Sequence, residues 1–268
     1  MTLYQKLKQA EPFFLIAGPC VVEQSSVLET VAAALCQIQR EHGIPVIFKA
    51  SYFKANRSSG DSYAGPGLEQ GLKLLEKIRE SYGLPLLTDV HETSEVEPAA
   101  AVCDILQIPA FLSRQTELIR AAAATGRIIN IKKGQFLAPE DMLAAAQKAG
   151  ENQQVLLTER GSSFGYHDLV VDFRSFCIMQ AWGYPVVYDV THSLQRPSVG
   201  KTSGGNPEFA APLARAAIAT GKVGGLFIET HPSPETAASD AASMLPLEQL
   251  ESLIRSCIAI FNSLKENQ

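Results

Sequence analysis

Basic residues stand in several short polar runs of the sequence: Lys49, Lys54, Arg57, Arg114, Lys132, Lys133 and Arg160. Lysine and arginine recognise phosphate through charge-assisted hydrogen bonds. The run Lys54-Ala55-Asn56-Arg57-Ser58-Ser59 adds amide and hydroxyl groups, a donor set suited to a phosphate and to sugar hydroxyls. A second group, Cys20, His192, Glu229 and Asp240, has a different chemistry. A thiolate, an imidazole and two carboxylates bind a borderline transition metal such as Zn²⁺, Fe²⁺, Mn²⁺ or Co²⁺. Their spacing matches no linear metal motif. The residues alone therefore leave open a plainer reading, in which Cys20 is core and His192 a satisfied hydrogen-bonder.

What could bring such distant residues together is a repeating alternation of β-rich runs and amphipathic stretches. The β-rich runs are Phe13–Ala17, Val46–Ala50, Leu86–Val90, Ile105–Ile108, Ile128–Lys132, Val155–Glu159, Val186–Val190 and Leu226–Thr230. Helical patterns fill Ser26–His42, with Val27, Val31, Ala34, Leu35 and Ile38 on one face, and Leu68–Tyr82, which Gly83 stops. Pro139-Glu140-Asp141 opens another helix, and Leu247–Leu264 closes the chain. Strands alternating with helices demand a parallel sheet with right-handed crossovers, and eight units close into a (β/α)8 barrel. An open doubly wound sheet is the alternative, but no glycine-rich dinucleotide fingerprint follows any strand.

In a barrel of this kind the site lies at the C-terminal ends of the strands. Those ends read Gly18-Pro19-Cys20, Lys49-Ala50-Ser51, Thr88-Asp89-Val90-His91, Gln107-Ile108-Pro109, Lys132-Lys133-Gly134-Gln135, Glu159-Arg160-Gly161, Asp189-Val190-Thr191-His192 and Glu229-Thr230-His231-Pro232. Lys132 and Arg160, on neighbouring strands, can converge on one phosphate. Alternation along Ile128–Lys132 turns Asn130 and Lys132 to one face and Lys133 to the other, so Lys133 has the weaker claim. Closure makes the first, seventh and eighth strands neighbours, which gathers Cys20, His192 and Glu229, with Asp240 in the following loop.

The bulk properties agree. At 268 residues the chain matches one barrel, for which about 250 residues is typical, so residues 1–268 read as one catalytic domain with 1–12 as an N-terminal extension. Hydrophobic residues at 46% and charged residues at 19% exclude a disordered chain. A net charge of -5 gives no support for nucleic-acid or membrane binding, so an anionic ligand must be held by a local cluster against the overall field. The scattered cysteines contain no CxxC pair, and Cys36, Cys103 and Cys257 read as core. Phe13–Cys20 is too short and too interrupted for a secretory signal, and no apolar run reaches the ~18 residues of a membrane helix. A cytoplasmic protein is expected.

The motifs AGPC (Ala17–Cys20), FKAS (Phe48–Ser51), KANRSS (Lys54–Ser59), TDVHE (Thr88–Glu92), QIPAFLSRQT (Gln107–Thr116), KKGQFLAP (Lys132–Pro139), LTERGSSFGY (Leu157–Tyr166), LVVDFRS (Leu169–Ser175), THS (Thr191–Ser193) and ETHPSP (Glu229–Pro234) resemble the 3-deoxy-D-manno-octulosonate 8-phosphate synthase family. The resemblance runs from Phe14 to about Leu247. It implies condensation of phosphoenolpyruvate with D-arabinose 5-phosphate and water, releasing phosphate, in the synthesis of the lipopolysaccharide inner-core sugar. It further implies that Lys49, Lys132 and Arg160 hold phosphoenolpyruvate, with Gln107 and Gln135 lining its pocket. Lys54, Asn56, Arg57, Ser58 and Asp89 would hold the sugar phosphate. Arg114 would reach the sugar phosphate of a neighbouring subunit in a homotetramer.

The implied catalytic set is Lys49, Lys54, Asn56, Asp89, Lys132 and His192. Cysteine after the first strand is the mark of the family's metal-dependent branch, so Cys20, His192, Glu229 and Asp240 become expected ligands of one divalent transition metal, with no organic cofactor. Two departures from the family pattern are Phe53, where an Asp often stands, and the Arg196–Thr202 loop. That loop, with Gly200, Gly204 and Gly205, is expected to move over the site. The rival readings are 3-deoxy-D-arabino-heptulosonate 7-phosphate synthase acting on erythrose 4-phosphate, a Schiff-base aldolase using Lys132, and a retired barrel that only binds phosphosugars.

Overall fold

A computed structural model describes residues 1–55, 63–150, 154–196, 204–239 and 241–266. Asn56, Arg57, Ser58 and Asp240, and most of the Arg196–Thr202 loop, lie outside the described residues. The short β-rich runs form the strands β1 (Phe14–Gly18), β2 (Val46–Lys49), β3 (Leu86–Asp89), β4 (Ile105–Ile108), β5 (Ile128–Lys132), β6 (Val155–Glu159), β7 (Val186–Asp189) and β8 (Gly225–His231). Each pairs in parallel with the next, and β1 pairs with β8 from Phe14↔Gly225 to Gly18↔Glu229, so the sheet closes. The expected (β/α)8 barrel is the fold.

The α-helices among the described residues are α1 (Leu3–Lys8), α2 (Ser25–His42), α3 (Leu68–Tyr82), α4 (Thr93–Val102), α5 (Thr116–Ala124), α6 (Asp141–Gln147), α7 (Arg174–Gln180), α8 (Ala210–Ala219) and α9 (Leu247–Glu266). In α2 the buried stripe is Leu28, Val31, Ala32, Leu35 and Ile38. It is rotated from the expected face because Leu28, with more apolar surface to bury than Val27, turns inward. Gly43 and Gly83 end α2 and α3 in the left-handed conformation, each donating its N–H to a carbonyl four residues back. Cys103 and Cys257 are core as expected, whereas Cys36 is only half-buried, its Sγ 3.5 Å from the carbonyl oxygen of Tyr82.

Two-residue alternation divides every strand. Leu15, Val46, Leu86, Leu106, Ile129, Leu157, Val186 and Leu226 point outward and pack beneath the helices. Phe14, Ile16, Ile47, Leu87, Ile105, Ile128, Leu156, Val187 and Phe227 point inward and form a separate apolar core in the N-terminal half of the barrel. Residues 1–12, expected as an extension, close the lower mouth: Leu3, Tyr4, Leu7 and Ala10 pack on that inner core. The Tyr4 hydroxyl donates to the Val155 carbonyl at 3.2 Å, and a capping box between Thr2 and Gln5 starts α1. Burying Leu7 alone stabilises this plug by about 2 kcal/mol.

Candidate active site

Two residues beyond each inner apolar position, the interior becomes polar. Ile47 is followed inward by Lys49, Leu87 by Asp89, Ile105 by Gln107, Ile128 by Asn130 and Lys132, Leu156 by Thr158 and Arg160, Val187 by Asp189, and Phe227 by Glu229 and His231. All of them are buried. One end of the barrel is thus an apolar plug, and the other is a buried cluster of polar and ionisable groups at the catalytic end of the fold.

Local contacts hold each group in place. The chain after β1 stays beside the chain after β2: Ser51 donates its N–H to the Cys20 carbonyl at 3.3 Å, and Val22 donates to Ser51 at 2.8 Å. The Cys20 carbonyl also accepts from Lys49 Nζ at 3.1 Å. Lys49 Nζ then reaches across β1 to Glu229 Oε1 at 2.6 Å, and Lys54 Nζ lies 3.8 Å from the same oxygen. On the opposite side Lys132 Nζ donates to Asp189 Oδ2 at 2.7 Å and lies 3.8 Å from the Phe227 ring centre. Asp189 also takes the backbone N–H of His192 at 2.9 Å and its Nδ1 at 3.0 Å. Arg160 donates to the His192 carbonyl at 3.2 Å and to Gln195 Oε1 at 2.8 Å. Lys132 and Arg160 therefore converge on the same turn, as adjacency of their strands implies.

Charge follows from this packing. Burial disfavours the Asp89 and Glu229 carboxylates, but Lys49, Lys54 and their neighbours outweigh it and hold both acids well below the usual range. Asp189 is held down in the same way by His192 and Lys132. For Lys132 burial wins over the pull of Asp189, and its ammonium pKa is lowered. The cations Lys49, Lys54, Lys132 and Arg160 thus face the ionised Asp89, Asp189 and Glu229 across one mouth.

Cys20, His192 and Glu229, three of the four expected metal ligands, lie at the seam between β7, β8 and β1, and Asp240 is outside the described residues. Asp189 accepts only, so it places a proton of His192 on Nδ1, and the lone pair of a neutral ring then falls on Nε2. That Nε2 stands 3.7 Å from Glu229 Oε2, a buried oxygen with no hydrogen-bond partner among the described residues. With that ring neutral, two acceptors face one space, an arrangement that suits a cation. Cys20, fully buried just beyond the adjacent strand β1, supplies a soft donor, its Sγ 2.9 Å from the Ser239 hydroxyl. Among the described residues Cys20, His192 and Glu229 do not bring one donor atom each within 4.8 Å of one another. The donor chemistry fits a transition metal, and Lys49 occupies Glu229 Oε1 in this arrangement.

Gln135 lies half-buried after β5, its Oε1 without a hydrogen-bond partner among the described residues, while Arg114 is exposed after β4. Lys133 faces away from the interior, as alternation requires, yet it is fully buried. Its ammonium lies 3.0–3.3 Å from Ser162 Oγ and the carbonyls of Gly134, Leu137 and Gly161, and 3.4 Å from Glu159. It ties the β5 and β6 loops together. The Asp168 carboxylate, which sequence reasoning missed, receives Arg196 Nε at 2.6 Å and Asn206 Nδ2 at 3.2 Å. It braces the stem of the following loop, where Gln195–Arg196 pair antiparallel with Gly204–Gly205.

A (β/α)8 barrel with lysines, arginine and carboxylates buried in its C-terminal mouth is the framework of an enzyme acting on small anions. A sequence model of the DAHP synthetase I family matches residues 7–266. The 2-dehydro-3-deoxyphosphooctonate aldolase of Bordetella petrii is 52% identical over 265 residues, covering 96% of this chain and 93% of the relative. Those of Syntrophotalea carbinolica and Acidithiobacillus ferrooxidans are 51% and 54% identical over 259 and 247 residues, covering 96% and 91% of this chain and 93% and 88% of the relatives. The chain belongs to the 2-dehydro-3-deoxyphosphooctonate aldolase family, within the broader DAHP synthetase I family.

Proposed function

We infer that this protein condenses phosphoenolpyruvate with D-arabinose 5-phosphate and water to give 3-deoxy-D-manno-octulosonate 8-phosphate and phosphate, a step toward the lipopolysaccharide inner-core sugar. The observation that carries this reading is the barrel mouth, where Lys49, Lys132, Arg160 and Asp89 are buried together in a chain half identical to its relatives along almost its full length. C3 of phosphoenolpyruvate bonds to the aldehyde carbon of the sugar, water adds at C2, and phosphate leaves by C–O cleavage.

Two polyanions must meet, and the cations offset their repulsion while fixing a reactive geometry. Lys49, Lys132 and Arg160 hold phosphoenolpyruvate, with Gln107 and Gln135 lining its pocket. A substrate phosphate or carboxylate competes with Glu229 for Lys49 and with Asp189 for Lys132, which are their partners in the structure. The ionised Asp89 accepts sugar hydroxyls beside Lys54, with Asn56, Arg57 and Ser58 completing the sugar phosphate site. Cys20, His192, Glu229 and Asp240 would hold a divalent transition metal, a reading supported by the unpartnered Glu229 Oε2 facing His192 Nε2 at 3.7 Å. Such a metal supplies Lewis acidity toward a carbonyl or a water molecule.

No described helix is long and apolar enough to cross a membrane. Cys36, Cys103, Cys177 and Cys257 are thiols, which fits work in the reducing cytoplasm. A homotetramer is supported by the aromatic rim of the catalytic end, where Phe111, Phe136, Phe164 and Tyr166 are exposed near Arg114 in sequence or on the neighbouring loops.

The test is phosphate release from phosphoenolpyruvate with arabinose 5-phosphate or erythrose 4-phosphate, each with and without chelator. The expected result is arabinose-dependent release that chelator abolishes and Mn²⁺ or Zn²⁺ restores. Release with erythrose 4-phosphate alone would overturn the substrate assignment. Release indifferent to a chelator that demonstrably strips all metal would remove the metal and leave the condensation.

A further inference from the structure

At one level of the barrel interior a chain of hydrogen bonds crosses five neighbouring segments. Thr158 Oγ1 donates to Asn130 Oδ1 at 2.5 Å, and Asn130 Nδ2 donates to Gln107 Oε1 at 2.8 Å. Gln107 Nε2 donates to Asp89 Oδ1, and Ser51 Oγ donates to Asp89 Oδ2 at 2.6 Å. The register sets these residues side by side, with Asp89 opposite Gln107 and Gln107 opposite Asn130. All five are buried, Thr158, Asn130 and Ser51 completely.

We propose that Asn130 and Thr158 are positioning residues that fix which atom of Gln107 the bound anion meets. The proposal rests on the reading that Gln107 lines the phosphoenolpyruvate pocket. An ionised carboxylate only accepts, so Asp89 requires the amide nitrogen of Gln107 on its side. The Gln107 oxygen is then turned toward β5 and requires a donor, which the Asn130 amide supplies. The Asn130 oxygen is turned in its own turn toward Thr158, whose hydroxyl donates to it. Reversing the Gln107 amide would oppose its oxygen to Asp89 and its nitrogen to the Asn130 nitrogen. Both contacts are repulsive and buried, so the chain has one polarity. Locked this way, Gln107 keeps a second amide hydrogen for an anion while its oxygen is occupied, and Asp89 keeps acceptor sites for hydroxyls. The two neighbours therefore offer opposite hydrogen-bonding character to the two substrates.

The experiment is steady-state kinetics and thermal melting of Asn130→Leu, Thr158→Val and Thr158→Ser, each in the native and the Gln107→Ala backgrounds. Gln107→Ala is expected to raise the KM for phosphoenolpyruvate at least tenfold. Asn130→Leu and Thr158→Val are expected to lower kcat/KM for phosphoenolpyruvate by about tenfold in the native background, the worth of roughly one buried hydrogen bond. Thr158→Ser restores the rate. In the Gln107→Ala background neither substitution adds more than about twofold, because the residue they act through is gone. Equal losses in both backgrounds would show that Asn130 and Thr158 serve packing alone and would overturn the proposal. A Gln107→Ala variant with unchanged phosphoenolpyruvate kinetics would instead overturn the role of Gln107, and the proposal with it. Thr158→Val exchanges a hydroxyl for a methyl of similar size, so it carries the test if Asn130→Leu fails to fold.

Discussion

Gly18 is the residue over which the site is assembled. On β1 it has Glu229 beside it in the register, and the next pair beyond Ala17↔Phe48 brings Lys49 to its other side. Alternation turns position 18 toward the interior, where Lys49 and Glu229 join across the strand at 2.6 Å. A Cβ at this position would lie 2.0 Å from the Lys49 carbonyl oxygen and 2.9 Å from its carbonyl carbon. The first distance is roughly 1.3 Å short of an ordinary carbon–oxygen contact of about 3.3 Å. The Lys49 atoms are backbone and a methyl group has no rotamer to relieve the overlap, so Gly18→Ala forces β1 and β2 apart by about 1 Å.

Overpacking of this kind costs about 3 kcal/mol. For 268 residues the unfolding entropy is roughly 0.56 kcal/mol/K, which makes the expected fall in Tm about 5 °C. A 1 Å displacement of Lys49 lowers kcat/KM by about 10²-fold. Calorimetry and phosphate-release kinetics on the purified variant read both quantities. A variant with Tm within about 1 °C of the parent and full activity would refute the reasoning, since β2 could then move without disturbing Lys49.

Further outcomes follow from other parts of the structure. Lys133→Met strips the donor from three carbonyls and leaves the Glu159 carboxylate buried, so Tm falls by about 5–9 °C for a cost of about 3–5 kcal/mol, measured by calorimetry. Loaded with Co²⁺ in place of the proposed native ion, the protein should show a thiolate-to-metal absorption band; Cys20→Ser should abolish that band and lower bound metal measured by elemental analysis. Burial pushes the Cys103 thiol up to about 12 and the Cys257 thiol up to about 11. A raised thiol pKa means less thiolate, roughly one part in ten thousand for Cys103 at pH 8, so alkylation followed by peptide mapping should find the exposed Cys177 modified first and these two only after unfolding. Borohydride added during turnover should leave no substrate adduct on Lys132; a stable adduct there would support the Schiff-base reading, to which the lowered Lys132 pKa is also suited.

Strands were the most legible feature of the sequence, because runs such as Ile128–Lys132 combine β-branched residues with an abrupt polar end. Helices α4 and α8 gave weaker signals, and their composition explains it. AAPLARAAIA is mostly alanine and TSEVEPAAAV carries a run of it, and helices tolerate alanine on either face, so little apolar contrast marks the buried stripe. The short pairing of Leu245–Pro246 with Thr230 and His231 was illegible for another reason: two residues carry no periodicity, and only β8 selects them.

For the candidate site, residue type and position were readable at nearly every strand end. Lys49, Asp89, Gln107, Lys132 and Glu229 were all picked from the rule that barrels carry chemistry there. Partners were not readable. Nothing in the order of residues says that Lys49 meets Glu229 across Gly18, or that Lys133 binds loop carbonyls while Lys132 lies over Phe227.

By itself the sequence determined the alternation of elements, the side of each strand a residue faces, and the kinds of charge at one end of the barrel. Those are local properties, set by side-chain chemistry and the two-residue period of a strand. Tertiary structure decided the pairings, the plug made of residues 3–10, and the single polarity of the Thr158–Asn130–Gln107–Asp89 chain. Each depends on closure of the sheet, which brings residues from distant strands to the same depth. Only there does removal of water make every donor require one particular acceptor.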